Sequence, residues 1–366
     1  MRLSPATAVA AAGLARMGWA ARRFLRPDHT APAIDVRVVI PARDEAAVVA
    51  ACVAGVLRQA SEVVVVDDGS SDDTGVVAAA AGATVVHIGG DPPEGWLGKP
   101  RACLAGAEGA GTEWLAFVDA DVVLAPAALA TMAAATRSTS TSIVGGLECR
   151  SFWERLLLPE LGLALTQEGF PPGFASGQCF LVRRDHYEAV GGHGHAMVRG
   201  SVVDDRDLAL ALGGHDARLA PALMTARMYS GWRAIRSGLT KNAAALHRRP
   251  VRHLTWLLAP VASTRPWAAV VVSAGGRLVA GQNPAYGLLS PVARLVLAGF
   301  VAESWYRART GRTVEWKGRR VLLRPHHDAV GLHHRGGPLH PTGPGVLCFR
   351  DPARFQLELF YRENQP

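Results

Sequence analysis

Two carboxylates one residue apart, Asp119 and Asp121, follow directly on the apolar run Trp114–Val118. Next-but-one side chains on a strand face the same way, so the pair can converge on one cation. An all-oxygen site of this kind suits Mg²⁺ or Mn²⁺, which fill their shells with phosphate oxygens and water. Alone, an Asp-x-Asp after a strand reads more simply as a solvated turn, but other acids accompany it. Asp67 and Asp68 close the run Glu62–Val66 and are followed by Gly69. A carboxylate so placed accepts hydrogen bonds from a uracil N–H or a ribose hydroxyl. The plainer reading is a strand–turn–helix link, in which Gly69 permits the turn and Ser70 or Ser71 caps the next helix. Asp204 and Asp205 open a further helical stretch. Acids there gain from the helix dipole, which makes capping the ordinary role of Asp204. A carboxylate facing an acceptor hydroxyl serves instead as a general base. Lys99, in the glycine-flanked run Gly95–Pro100, brings a point charge that suits a diphosphate. The alternative is a solvated loop lysine.

These residues need elements to hold them. Val36–Ile40 is a β-branched run ended by Pro41, and Glu45 to Gln59 reads as a helix. Glu62–Val66 is apolar throughout after its first residue, as in strands inside parallel sheets. Thr74 to Ala81 reads as helix, Ala83–Ile88 as strand, Lys99 to Gly109 as helix and Trp114–Val118 as strand. Strands alternating with helices through short links make a parallel α/β sheet. Ligands of such sheets sit at the carboxyl ends of the strands. Pro41, Asp44 and Glu45, then Asp67 and Asp68, then Asp119 and Asp121 all fall there. Further on, residues 173–184 read as a Gly-rich turn running into a strand, 185–190 as a short helix, and Asp204 to Leu212 as a helix.

The 366 residues are 49% hydrophobic and 19% charged, ample for a sizeable core and unlike a disordered chain. The formal charge of +8 favours anionic partners: nucleotide phosphates or anionic headgroups. No basic run interleaved with aromatics marks a nucleic-acid surface, so nucleic acid is not expected as a partner. The five cysteines are scattered and without metal spacing, which points to buried thiols in a reducing compartment.

With these residues in view, the sequence from about Val36 to Lys241 resembles the family 2 glycosyltransferases. The markers come in the family's order: Val-Ile-Pro-Ala-Arg-Asp-Glu from Val39, Val-Asp-Asp-Gly-Ser-Ser-Asp-Asp-Thr from Val66, Asp119-Ala-Asp121, then the acidic pair at Asp204. Within the family it looks most like the membrane-associated enzymes linked to carotenoid and hopanoid glycosylation. That likeness rests on Gly-Trp-Leu-Gly-Lys-Pro from Gly95, Ser-Gly-Gln-Cys from Ser176, Gly-Gly-His from Gly191 and Arg-Met-Tyr from Arg227. It rests also on Gly-Leu-Thr-Lys-Asn from Gly238 and Glu-Trp-Lys-Gly-Arg from Glu315. The resemblance implies a GT-A fold, α/β with a parallel-rich mixed sheet, and C-terminal membrane-facing helices. It implies an inverting, metal-dependent hexosyltransferase that moves a sugar from a nucleotide sugar, UDP-linked, to a lipid-like or apolar acceptor. It places Asp68 on the nucleoside, Asp121 on the metal and Asp205 as catalytic base. Asp204 stands where Glu is usual, which leaves open which acid is the base. Arg227 and Trp232 lie where the family often keeps an Arg or Trp near the diphosphate and the acceptor. The donor-site candidates are thus Pro41, Asp44, Glu45, Asp67, Asp68, Lys99, Asp119 and Arg227; the metal candidates are Asp119 and Asp121.

Four parts are expected: an N-terminal helix at 1–30, a GT-A domain at 34–248, a hydrophobic helical region at 249–320 and an extension at 321–366. Pro5 to Ala21 is mostly apolar around Arg16, and Arg22, Arg23 and Arg26 follow. It reads as a membrane-lying helix or weak anchor, or as an amphipathic surface helix. The arginines put it on the cytoplasmic face of the cell membrane; a cleaved signal is not expected. Leu254–Val272 and Tyr286–Tyr306 are apolar but interrupted by Arg265, Pro266, Pro291 and Arg294. An Arg at mid-span is costly, so membrane-apposed or re-entrant helices are expected, with a packed soluble pair as the alternative. Val346–Phe360 resembles the closing hairpin of the glyoxalase-like fold, in which Glu358 would be the metal-binding Glu; a remnant of that fold or an accessory hairpin is expected. Two rival functions remain. A sugar nucleotidyltransferase needs a Gly-rich loop after the first strand, where this chain has Pro41–Glu45. A non-catalytic membrane-associated binding module would not need every one of these carboxylates.

Overall fold

The valine-rich runs become neighbouring strands, and alternate side chains of each enter different cores. In the computed structural model, which describes residues 24–168, 174–246, 250–262 and 267–322, β1 (Val36–Ala42) pairs in parallel with β2 (Glu62–Asp67) and β4 (Trp114–Val118). The edge strand β3 (Thr84–His87) lies parallel to β2. Val38, Ile40, Val63, Val65, Ala116 and Val118 pack on one face with Val49, Cys52, Val53 and Val56 of α1 (Val49–Val56). Val39, Val64, Val66, Leu115 and Phe117 pack on the other face with Ala102, Cys103 and Ala107 of α3 (Gly98–Ala107). A sheet covered on both faces explains why its strands carry no polar alternation. The helix α2 (Thr74–Ala80) links β2 to β3.

Beyond β4 the sheet turns mixed, in the order β3–β2–β1–β4–β8–β6–β9. The strand β8 (Cys179–Arg183) runs antiparallel to β4 and to β6 (Ser140–Val144), and β9 (Asp216–Leu219) is parallel to β6. This is the expected parallel-rich mixed α/β fold. A second sheet joins β5 (Val122–Leu124), β10 (Met224–Ala226) and β7 (Gly146–Leu147). The helix α4 (Ala128–Ala135) covers the first core, and α6 (Arg184–Ala189) and α7 (Asp204–Ala211) the opposite face.

A third core is helical. It gathers α5 (Phe152–Glu168), α8 (Gly231–Leu246), α9 (Pro250–Ala262) and α11 (Ser290–Arg309) around Leu157, Ile235, Leu257, Leu297 and Phe300. The helix α10 (Trp267–Val279) packs against α5 and α11. Val314 and Val321 bring the hairpin of β11 (Thr313–Trp316) and β12 (Arg319–Leu322) into the same core.

Of the residues that argued against a clean span, Arg294 joins a buried polar cluster, while Arg265 and Pro266 lie outside the described residues. Pro159 lies inside α5 and cannot donate to the Arg155 carbonyl, which Arg277 Nη1 instead reaches at 2.7 Å. Arg277 Nη2 reaches the Leu156 carbonyl at 2.8 Å and lies 3.5 Å from Glu160 Oε2. Arg294 Nε reaches Glu160 Oε1 at 2.7 Å, and Ser290 donates to the same oxygen at 2.9 Å. Glu160, Arg277 and Arg294 are all buried. Removing one partner of such a cluster strands the others' charge. Glu160→Gln should therefore lower unfolding free energy by about 3–5 kcal/mol, read by urea denaturation. A loss under about 1 kcal/mol, the scale of an exposed pair, would show the cluster to be unimportant.

Several single-element expectations change. The helix expected from Glu45 starts only at Val49. Neither Ser70 nor Ser71 caps α2; the Thr74 N–H donates to Asp72 Oδ1 at 3.1 Å. Asp119 and Asp121 lie in the turn between β4 and β5, not on a strand. Asp204 is the first residue of α7 and makes no capping bond. The described part of Leu254–Val272 falls on α9 and α10, with 263–266 outside the described residues. Among the described residues one stretch, Pro284–Arg309, is long and apolar enough to cross a membrane. Pro5 to Ala21, Glu358 and the rest of the extension beyond Leu322 lie outside the described residues.

Candidate active site

The strand order 2–1–4 leaves a crevice at the carboxyl ends of β1, β2 and β4, where a doubly wound sheet takes its ligand. The helix α3 lies flush on β1 because Gly106 has no side chain: a Cβ there would stand 2.4 Å from Val39 Cγ1. Lys99, in the first turn of α3, thereby reaches the end of β4, with Nζ 2.6 Å from Asp119 Oδ1. Burial works against its charge, but Asp119 and then Asp204 outweigh burial and hold the ammonium well above the ordinary lysine range.

The turn after β4 is tied on three sides. The Val122 N–H donates to the Asp119 carbonyl at 3.1 Å, the Asp119 N–H to the Gln178 carbonyl at 3.1 Å and the Arg227 N–H to the Asp121 carbonyl at 3.0 Å. Burial, then Asp119 and Glu45, push the Asp121 carboxyl up to about 8, against the pull of Lys317 and Lys99. Crowded carboxylates whose ionisation is this unfavourable, and which offer only hard oxygen donors, fit a divalent cation such as Mg²⁺ or Mn²⁺. Asp119 and Asp121 would hold it. The buried Arg227 Nε has no hydrogen-bond partner among the described residues.

The second acidic pair faces the first across Gly177. A Cβ on Gly177 would stand 2.9 Å from Lys99 Nζ and 3.4 Å from Asp205 Cγ, so a side chain there would crowd the end of the lysine. Asp204 and Asp205 line one cavity with Lys99, Gly177, Phe117 and His193, but their surroundings differ. Asp204 is buried, and its Oδ2 lies 3.6 Å from His193 Nε2. Tyr187 Oη accepts from the His193 N–H at 3.1 Å and lies 3.0 Å from His193 Nδ1. The phenol proton then goes to Nδ1, and Nε2 keeps its hydrogen for Asp204. Burial pushes His193 below the usual histidine value, despite Asp204. Burial also opposes the charge of Asp204, but Lys99 and His193 outweigh it and hold the carboxyl below its ordinary value. Asp205 is only partly buried; burial, then Asp204, push it up to about 7. Asp204 is thus a buried anion with fixed partners, and Asp205 a carboxyl poised to exchange a proton.

The other candidates divide. Asp68 and Glu45 reach the crevice and meet Arg319 and Lys317. Asp67 turns to its own loop, where Oδ1 accepts the Ser70 N–H at 2.9 Å and Oδ2 lies 3.2 Å from His87 Nδ1. Asp44, at φ 52°, accepts the Ser71 N–H at 2.7 Å and so binds the two loops together. Pro41 stays in β1, paired with Val66. Trp232 packs away from the acids, against Trp153 and Phe300. Sequence reasoning missed Arg43, His193, Lys317 and Arg319 as site residues. Gly-Gly-His and Glu-Trp-Lys-Gly-Arg were visible as motifs, but nothing in them said where they would land.

Residues 37–191 match the family model "Glycosyl transferase family 2". That stretch, less than half of the chain, is similar to family 2 glycosyltransferase domains. The matched stretch holds the acids from Asp44 through Asp121; Asp204, Asp205 and the β11–β12 hairpin lie beyond it. No curated protein matches the chain. Among solved structures it is similar to a mycobacterial protein at 20% identity, covering 66% of this chain and 77% of that one, with a TM-score of 0.39. It is also similar to glucosyl-3-phosphoglycerate synthase from Mycobacterium tuberculosis in complex with phosphoglyceric acid. That match has 17% identity, covers 61% of this chain and 85% of that one, and has a TM-score of 0.42. The same synthase with Mn²⁺, UDP-glucose and phosphoglyceric acid matches at 18% identity, over 60% and 80%, with a TM-score of 0.40.

Proposed function

We propose that the protein is an inverting, metal-dependent glycosyltransferase that moves a hexose from a UDP-sugar to a hydroxyl or carboxyl of a lipid-like acceptor. We place it at the cytoplasmic face of the cell membrane, near the enzymes linked to carotenoid and hopanoid glycosylation. The observation that carries the reading is the close approach of Lys99 and Asp205 over Gly177, which sets a diphosphate-binding cation beside a proton acceptor. In the proposed reaction Asp205 takes the acceptor O–H proton as that oxygen attacks the sugar's anomeric carbon. The bond from that carbon to the diphosphate breaks on the opposite face, and its electron pair leaves with the nucleotide. Lys99 offsets the charge that builds there. When bound, Mg²⁺ or Mn²⁺ at Asp119 and Asp121 supplies further charge stabilisation for the departing diphosphate. Asp68 would receive the nucleoside.

The membrane part of the reading rests on apolar exposure. Trp267, Val271 and Leu278 of α10, Leu288 and Leu289 of the turn after it, and Val292 and Leu295 of α11 are all solvent-exposed, Leu288 to 70%. Exposed apolar side chains on successive elements of this kind suit a lipid surface. Its large residues sit on the helical core, which also meets the site through the hairpin.

A panel of UDP- and GDP-sugars tests the proposal, with apolar alcohols and carboxylic acids in vesicles as acceptors. We expect acceptor-stimulated release of UDP from one donor, lost on chelation and restored by Mg²⁺ or Mn²⁺. Pyrophosphate release from a nucleoside triphosphate would establish the nucleotidyltransferase instead. No turnover, with no metal-dependent protection by UDP on heating, would favour the non-catalytic module.

A further inference from the structure

The only described strands outside the two larger sheets are β11 and β12, and their turn lies in the donor crevice. Trp316 pairs with Arg319, so Lys317 and Gly318 form a two-residue turn, at φ 47° and 72°. Positive φ at both positions marks the type I′ hairpin turn, which favours Asn-Gly. Lysine in the left-handed region is uncommon, and the outlier calls for a reason. Its ammonium meets Glu45, and its carbonyl accepts from Arg43 Nε at 3.2 Å. Arg319 grips Asp68, Nη1 on Oδ2 and Nη2 3.3 Å from Oδ1. Its Nε makes no hydrogen bond among the described residues but lies 3.6 Å from Asp91 Oδ1, and Nη2 also reaches the Gly90 carbonyl at 3.2 Å. Gly98 makes room for this pair: a Cβ there would stand 2.4 Å from Asp68 Oδ2 and 2.5 Å from Arg319 Nη1.

The hairpin is anchored from behind. Ser237 Oγ donates to the Glu315 carbonyl at 3.0 Å, Arg307 Nη1 to the Thr313 carbonyl at 3.3 Å, and Lys241 sits 4.3 Å over the Trp316 ring. A firmly held turn therefore presents two cations to two acids of the proposed donor site. We propose that Lys317 and Arg319 are donor ligands that leave Glu45 and Asp68 for the diphosphate when the nucleotide enters. Arg319 offers a planar fork that matches phosphate oxygens, and Lys317 a point charge beside it. In the structure the same cations pair with the acids proposed to receive the donor. The proposal rests on the transferase reading above.

Binding of UDP, GDP and uridine in the presence of Mn²⁺, measured by calorimetry on the full chain, tests it. Lys317→Asn keeps a favoured turn and Arg319→Gln keeps most of the stem, so both hairpins should form. Each should weaken UDP about tenfold or more and leave uridine within about twofold, with Arg319→Lys intermediate, as expected when a phosphate contact is lost. Equal weakening of UDP and uridine would overturn the proposal and make the pair supports for Asp68. Unchanged or tighter UDP binding would overturn it too, the tighter case marking a self-blocking contact. A parent chain that binds neither UDP nor GDP would fail the transferase reading itself, and this proposal with it.

Discussion

Asp121→Asn should abolish transfer while the chain stays folded. The amide keeps the shape of the side chain and removes an anionic ligand, so Mn²⁺ binding falls with activity. Stability should move the other way. The folded state holds the Asp121 carboxyl at about 8, through burial and then Asp119 and Glu45. An unfolded aspartate ionises near 3.9. Ionisation therefore works against the fold as pH rises from about 4 to about 8, and the amide is spared this. Without metal at pH 8 the variant should melt no lower than the parent, and the parent's excess stabilisation by Mn²⁺ should vanish. Turnover within about tenfold of the parent, near 1.4 kcal/mol in barrier, would sink the assignment.

Asp205→Asn should cut turnover by roughly two to four powers of ten, the range for loss of a general base, with UDP affinity near the parent value. The folded carboxyl lies at about 7, so the ionised base dominates only above that pH. At saturating metal, turnover should rise about tenfold per pH unit up to about 7 and then level. Asp121 also titrates high, but metal competes with its proton. A limb that moves with Mn²⁺ concentration belongs to Asp121, and one that stays belongs to Asp205. Asp204→Asn should be milder in turnover. It removes no helix cap, as a reading of the helix start suggested, but takes the charge from a buried carboxylate beside His193 and Lys99. A stability loss of about 1–3 kcal/mol follows from disturbing such a buried polar pair. Reversed phenotypes would make Asp204 the base. Lost UDP binding with intact single-turnover chemistry in Asp205→Asn would assign the pair to the donor.

The sheet was legible because unbroken β-branched runs such as Val63–Val66 have few places to go except between two layers of helices. The acids were legible as a group because those runs end in them. What failed was local. Before α1 the chain makes a turn, with Val48 N–H and Val49 N–H both on the Glu45 carbonyl at 3.0 Å, while Glu45 N–H donates to Thr74 Oγ1 at 2.8 Å and Ala46 N–H to Asp72 Oδ2 at 3.1 Å. Partners 29 and 26 residues away hold this turn in place, and local composition cannot reveal them. Asp204 was misread for the same reason, since its partner His193 comes from a separate turn. Lys317 meets Glu45 across 272 residues. No periodicity carries such information, because it is set by how the helical core docks the hairpin.

The buried Glu160 cluster bears on what can fold as a unit. Glu160 lies inside the stretch recognisable as a family 2 domain, yet its partner Arg294 is encoded 134 residues later, in the apolar helices. The matched stretch without those helices would leave Glu160 without Arg277, Ser290 and Arg294. The unit that folds intact is therefore longer than the stretch that matches the family model.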